Sequence, residues 1–217
     1  MNSERIIKLR HCKMQTYHKE VDTKWNILKL LQWTTSYFKS HNVDSPRSAS
    51  EILLAHVLNL KRIDLYVRYD QPLTDKELLV FKSLIKRRIK KEPVAYIIGS
   101  KGFWSLELSV SPYVLIPRPD TETLVEVVLD TISSLPDKNT MSILELGTGS
   151  GAIILSVASE FPDGSFTAID YSVKAIEIAK KNAVSINIRC NKYLHVLFYR
   201  KLIAHTLSDF VPGAFFI

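Results

Sequence analysis

The sequence predicts an α/β protein built as a small N-terminal helical bundle, a β-hairpin linker and then the beginning of an open, doubly wound parallel sheet. Three observations predict it. Apolar residues recur at helical spacing in three segments before residue 92. Leu106, Leu108 and Val110 alternate with Ser105, Glu107 and Ser109, the period of a half-buried strand. Beyond residue 141, two strand-helix units follow one another, and a glycine-rich loop joins the first strand to its helix.

The helices come first. From Trp25 to about Lys39 the residues Ile27, Leu28, Leu31, Tyr37 and Phe38 mark one helix. Asp44, Ser45 and Pro46 announce a second, a cap followed by a proline suited to the first turn, and Ile52, Leu53, Val57 and Leu60 continue it. Thr74 and Glu77 have the spacing of a capping box, in which each side chain satisfies an orphan backbone donor of the other; Leu78, Phe81, Ile85 and Ile89 then line a face. Lys82, Lys86, Arg87, Arg88, Lys90 and Lys91 crowd the end of that helix. Cations there complement the helix dipole, a reading favoured over a binding patch. Pro93 ends the helix.

After the hairpin, Pro117 and Pro119 impose an extended approach, and Asp120, Thr121 and Glu122 supply cap and dipole-matching acids to a helix bearing Leu124, Val125, Val128, Leu129 and Ile132. Residues 134–140 read as a loop. Residues 141–146 form an apolar strand that runs into Gly147, Thr148, Gly149, Ser150 and Gly151, and helical spacing resumes at Ala152. A second strand over 165–169 ends at Asp170, and Ala175, Ile176, Ile178 and Ala179 mark the next helix.

Composition narrows the class. The 217 residues are 46% hydrophobic and 24% charged, which excludes a disordered chain, a collagen or a disulfide-stapled miniprotein. Lys and Arg number 29 against 22 Asp and Glu, a net charge of +7 that fits an acidic or nucleic-acid-associated partner or simply a solvated basic surface. Cys12 and Cys190 stand alone, so no metal site and no disulfide framework is expected, and the default compartment is a reducing cytoplasm. No run approaches the roughly 18 apolar residues of a membrane span.

The chemistry sits in the glycine loop. Without a Cβ, its backbone can approach a ligand closely, and the helix start behind it favours a negative group. An acid at the end of the next strand, Asp170, can accept hydrogen bonds from two ribose hydroxyls. Together these describe a nucleoside site. The spacing of Gly147, Gly149 and Ala152 also satisfies the dinucleotide fingerprint, so the loop alone leaves NAD and S-adenosylmethionine both open. No Gly-Lys-Ser or Gly-Lys-Thr follows, so it is not a P-loop.

Residues 145–151, Glu-Leu-Gly-Thr-Gly-Ser-Gly, resemble motif I of the class I methyltransferases. The stretch Glu92-Pro93-Val94-Ala95-Tyr96-Ile97-Ile98-Gly99, then Phe103-Trp104, then Leu115-Ile116-Pro117-Arg118-Pro119-Asp120-Thr121-Glu122, resembles the release-factor glutamine methyltransferases, the PrmC/HemK family. The likeness runs from about residue 25 to about residue 188. It implies an incomplete Rossmann-like class I methyltransferase domain over 120–188, preceded by a release-factor-docking helical domain over 1–92 and a linker over 93–119. It also implies S-adenosyl-L-methionine as methyl donor. The acceptor it implies is the glutamine amide of the Gly-Gly-Gln motif in class 1 peptide release factors, with no membrane and no direct nucleic-acid partner expected.

Carried over residue by residue, the resemblance puts Gly147, Thr148, Gly149, Ser150, Gly151 and Asp170 against the cofactor. Phe103, Pro117, Arg118 and Pro119 fall near the acceptor entrance, where packing of a hinge is the competing role. No residue is assigned to catalysis or to a metal. An amide nitrogen is a poor nucleophile and must be held in line with the methyl group. The family grips it with Asn-Pro-Pro-Tyr after the fourth strand, and this chain has no such sequence. Residues 189–217 depart from the family and carry no motif; His195 and His205 read as incidental. The expectation is a truncated product with two of seven strands, exposed strand edges unless the tail covers them, and little or no methyl transfer. Two alternatives are a non-catalytic fragment that binds a release factor and a relative of the adenine-N6 nucleic-acid methyltransferases.

Overall fold

The computed structural model describes residues 25–135 and 141–187, together with the backbone of residues 194–198 and 215–216. It divides into two compact units, Met1–Lys91 and Glu92–Ile217. Cys12, Cys190, His205 and the side chain of His195 lie outside the described residues.

The first unit is helical: α1 (Ile27–Ser40), α2 (Pro46–Leu58), the single turn α3 (Asp64–Val67) and α4 (Asp75–Ile89). Asn26 caps α1 by accepting the Lys29 N–H at 2.9 Å. The buried stripe of α1 is Ile27, Leu30, Thr34 and Phe38, so the core face is turned away from Leu28, which is exposed. The other flank carries an exposed aromatic row in which Trp33 stacks on Tyr37 with ring centres 5.0 Å apart, and Trp25 meets Trp33 edge-on. Ser45 precedes α2 in the left-handed region at φ 47° and makes no side-chain cap, which corrects the expected capping role; Pro46 starts the helix, its fixed φ suited to the first turn.

The capping box of α4 is present as expected. Thr74 Oγ1 accepts the Glu77 N–H at 3.3 Å, and Glu77 Oε2 accepts the Thr74 N–H at 2.7 Å. Its apolar face holds Phe81, Leu84 and Ile85. Of the cations crowded at its end, Arg88 is buried and reaches the Asp44 carbonyl at 3.4 Å, while Lys82, Lys86, Lys90 and Lys91 are exposed. The Glu51 carboxylate on α2 is also buried, and it gathers Arg47 at 2.9 Å, Arg62 at 2.5 Å and the Tyr66 hydroxyl. Burial pushes its pKa up, but these hydrogen bonds outweigh burial and hold it below the ordinary glutamate value.

The second unit opens with a helix that was not expected. Pro93 stops α4 and at the same time caps the five-residue α5 (Val94–Ile98), which closes on Gly99 at φ 80°. The hairpin follows as predicted, β1 (Ser100–Phe103) antiparallel to β2 (Leu106–Ser109), with Phe103 opposite Leu106. Trp104, at the turn, has a left-handed φ of 55°. The turn is fastened by two acids: Glu122 accepts the Trp104 backbone N–H at 3.0 Å, and Glu160 accepts its indole N–H at 3.0 Å. Thr121 therefore does not cap the next helix with its side chain, and Glu122 serves the hairpin. A 3₁₀ turn over Pro119–Thr121 leads instead into α6 (Glu122–Ser134).

A parallel sheet completes the unit: β3 (Ser142–Leu146), α7 (Ala152–Glu160), β4 (Ser165–Asp170), α8 (Val173–Ser185), β5 (Leu194–Phe198) and β6 (Phe215–Phe216). The strand order is β5-β4-β3-β6, all neighbours parallel. That is the 3-2-1-4 half of the doubly wound order, in which the chain reverses direction across the sheet between β3 and β6. The expectation of two strands is thus corrected to four. The residues read as a motif-free tail place one strand on each side of the β3–β4 pair, β5 along Phe166–Asp170 of β4 and β6 against Ile143 and Leu144 of β3. Stretches of five and two residues are too short for periodicity to identify as strands. The core beneath joins Ile143, Phe166 and Ala168 of the sheet to Val125, Ile154, Leu155, Val157 and Ala179 of the helices, and to Phe103 and Leu108 of the hairpin.

Candidate functional site

Parallel register brings the two halves of the predicted nucleoside site together. Leu146 pairs with Ile169, so the glycine loop that follows β3 and Asp170, the last residue of β4, lie side by side at the carboxyl edge. This edge, at the point where the strand order reverses, is where open α/β sheets bind ligands. The Ile169 carbonyl accepts the N–H of Gly147 at 2.8 Å and of Thr148 at 3.1 Å, which moors the loop entrance to β4. Asp170 fastens the rest: Oδ2 accepts the Gly149 N–H at 2.8 Å and Oδ1 accepts the Ser172 N–H at 2.8 Å. Each oxygen keeps a second lone pair, and the residue is only half-buried, so the carboxylate can still accept hydroxyl groups from outside.

The three loop glycines divide by role. All have positive φ: 76° at Gly147, 57° at Gly149 and 81° at Gly151. A Cβ on Gly147 or Gly149 would have nothing within 4 Å, so these two leave open space over the loop into which a ligand can settle. A Cβ on Gly151 would stand 2.8 Å from Leu155 Cδ1, so that glycine exists for close packing of α7. Thr148 and Ser150, placed against the cofactor by resemblance, are 5% and 3% exposed. Both residues are buried, and the Thr148 hydroxyl is turned inward to Glu145.

Two site residues were not singled out in the sequence. Glu145, the last buried position of β3, receives the Thr148 hydroxyl and a hydrogen bond from the Ile154 backbone. Burial pushes its carboxyl up to about 7, the two hydrogen bonds oppose this, and the nearby Asp170 charge adds to it. It opens the stretch 145–151 that resembles motif I, which was the signal for it, although no role was assigned to it. Asn182, fully buried on α8, bonds to the loop and to the hairpin at once. Nothing local in its helix signals this.

Because the folded pKa of Glu145 lies above its unfolded value of 4.5, the native state holds the proton more tightly. Stability is then greatest below pH 4.5 on this account and is lost as pH rises to about 7. The span amounts to about 3 kcal/mol. Glu145→Gln should keep an acceptor for Thr148 while removing this slope. Urea unfolding of the variant between pH 5 and pH 8 should be flatter than wild type; parallel curves would refute the assignment.

Of the residues expected at an acceptor entrance, Phe103 is 1% exposed in the core and Pro117 is buried, whereas Arg118 and Pro119 are exposed. Among the described residues, no group of His, Cys, Asp and Glu is arranged to hold a metal, and no helix is long and apolar enough to cross a membrane.

Comparison with known proteins now adds to this geometry. The PrmC N-terminal domain matches residues 29–99, and a methyltransferase domain matches residues 137–209. A release factor glutamine methyltransferase of Aliivibrio fischeri is 49% identical over 140 residues, 64% of this chain and 48% of that protein. Those of Rhodopirellula baltica and Buchnera aphidicola are 39% and 41% identical, covering 77% and 79% of this chain and 57% and 60% of theirs. The chain spans about half the length of the curated relatives it matches. With both domains in order along the chain and relatives of this identity on either side of the linker, the chain belongs to the release factor glutamine methyltransferase family.

Proposed function

We propose that this chain binds S-adenosyl-L-methionine on the glycine loop and carries the cofactor-binding and release-factor-docking parts of a protein-(glutamine-N5) methyltransferase acting in the cytoplasm. The observation that supports the cofactor most is the open space above Gly147 and Gly149 beside the Asp170 carboxylate, together with relatives named for this reaction. The backbone of residues 147–151 would lie along the methionyl end, and Asp170 would accept the ribose hydroxyls. When bound, the sulfonium supplies an electrophilic methyl group. The chain's own residues would orient it. Arg118 and Pro119 are the exposed members of the acceptor-side set, so they would meet the substrate, while the buried Phe103 and Pro117 hold their approach in place.

Calorimetric titration of the 217-residue chain should give saturable binding of S-adenosylmethionine and none of NADH; the opposite preference would overturn the reading. The chain holds no Asn-Pro-Pro-Tyr, so little methyl transfer to a release factor is expected from it. Turnover at the rate of a full-length relative would show that other residues grip the amide.

Docking is read into the helical unit. Between Trp25 and Lys91 the chain has thirteen Lys and Arg against six Asp and Glu, and Trp25 and Trp33 are 39% and 44% exposed. An aromatic row beside a surplus of cations suits a partner with an acidic, partly apolar face. Retention of a class 1 release factor by the full chain should therefore fall as salt rises, and no retention at low salt would count against docking.

A further inference from the structure

The Asn182 side chain makes three hydrogen bonds and none of them serves its own helix. Its Oδ1 accepts the Ser109 N–H at 2.8 Å; its Nδ2 donates to the Ser109 carbonyl at 3.0 Å and to the Ser150 carbonyl at 2.8 Å. Ser109 ends β2 and Ser150 lies within the glycine loop, so a single amide clamps the hairpin to the ligand loop. The residue is 0% exposed, and the loop side chain it adjoins, Ser150, is 3% exposed. Water is not at hand to replace a lost bond, and a buried carbonyl left alone is costly.

The remaining contacts make this clamp a link rather than a prop. At its other end the hairpin is fastened through Trp104 to Glu122 and Glu160, and Glu122 is the first residue of α6. From Ser109 the chain runs through Val110, whose N–H is held by the Gly99 carbonyl, to Val114, whose carbonyl accepts the Tyr96 hydroxyl at 2.7 Å. It then reaches Pro117, Arg118 and Pro119. The Ser150 carbonyl is thus joined through one side chain to the strand that precedes the acceptor-side segment.

We infer that Asn182 is a positioning residue that couples occupancy of the glycine loop to the hairpin and so to the segment on the acceptor side. The inference rests on the proposed cofactor reading and goes beyond it. Filling the loop fixes Ser150; through Asn182 it tightens the backbone of Ser109, and by reciprocity a settled hairpin improves cofactor binding.

The test is backbone amide hydrogen exchange of the whole chain with and without S-adenosylhomocysteine, whose binding is followed separately by calorimetry. In the wild type, saturation should slow exchange at Ser109 several-fold as well as in the loop. Asn182→Asp keeps the acceptor for the Ser109 N–H but removes both donations. It should bind about tenfold more weakly, the size of one lost buried partner. Its Ser109 should no longer respond to ligand even when the loop is saturated. A residue that merely supports the fold would lower stability without severing that response. Should the variant not fold, the wild-type measurement decides: ligand bound by calorimetry with Ser109 unmoved overturns the coupling alone. No binding by the wild type overturns the cofactor reading, and the coupling falls with it.

Discussion

Asp170→Ala is expected to weaken S-adenosylmethionine binding about 100-fold, the loss of two charge-assisted hydrogen bonds of ordinary strength. Two effects add. The carboxylate proposed to accept the ribose hydroxyls disappears, and the Gly149 and Ser172 N–H groups, now held at 2.8 Å each, lose the partner that fastens the loop. Asp170→Asn separates them, because an amide oxygen can keep one backbone contact while giving up the charge. Calorimetry should rank wild type above asparagine and asparagine above alanine, with thermal unfolding showing both variants folded. Equal affinity for wild type and Asp170→Ala would remove Asp170 from the site.

Gly151→Val is expected to destabilise the second unit by about 3 kcal/mol, from left-handed strain in a β-branched residue and overpacking of a filled core. The backbone there has φ 81°, and the new Cβ would start 2.8 Å from Leu155 Cδ1 and 3.2 Å from its Cγ. Gly149→Ala is the contrast. Its Cβ meets nothing, so it should cost only about 1 kcal/mol of backbone strain while obstructing the ligand. Urea unfolding and titration of both variants should therefore cross over: one loses stability first, the other affinity. Wild-type stability in Gly151→Val would mean that the loop does not pack as described.

Features written in adjacent residues were legible in advance. The Thr74 and Glu77 box, the alternation in β2 and the run of strand, glycine loop and helix all rest on contacts within about four residues, where side-chain chemistry and spacing decide the outcome. The position of Asp170 was legible for the same reason, since an acid at a strand end is visible without knowing what the strand pairs with. Ser45 shows the limit: a good capping residue was drawn into a left-handed turn where its hydroxyl does not reach the helix. Pro93 shows another, ending one helix and opening the next, a choice made by the chain around it.

The sequence by itself determined the succession of helices, hairpin and glycine loop, the absence of Asn-Pro-Pro-Tyr and the placing of an acid, Asp170, at the end of the strand that follows the loop. Tertiary structure decided which side of α1 faces the core, that the stretches 194–198 and 215–216 flank β3 and β4, which glycine is open and which is packed, and that Asn182 joins loop to hairpin. The physical reason is range. Caps and turns are settled by neighbours along the chain, whereas a buried amide or a two-residue strand gains its role only from partners brought close by folding, such as Ser109, 73 positions from Asn182.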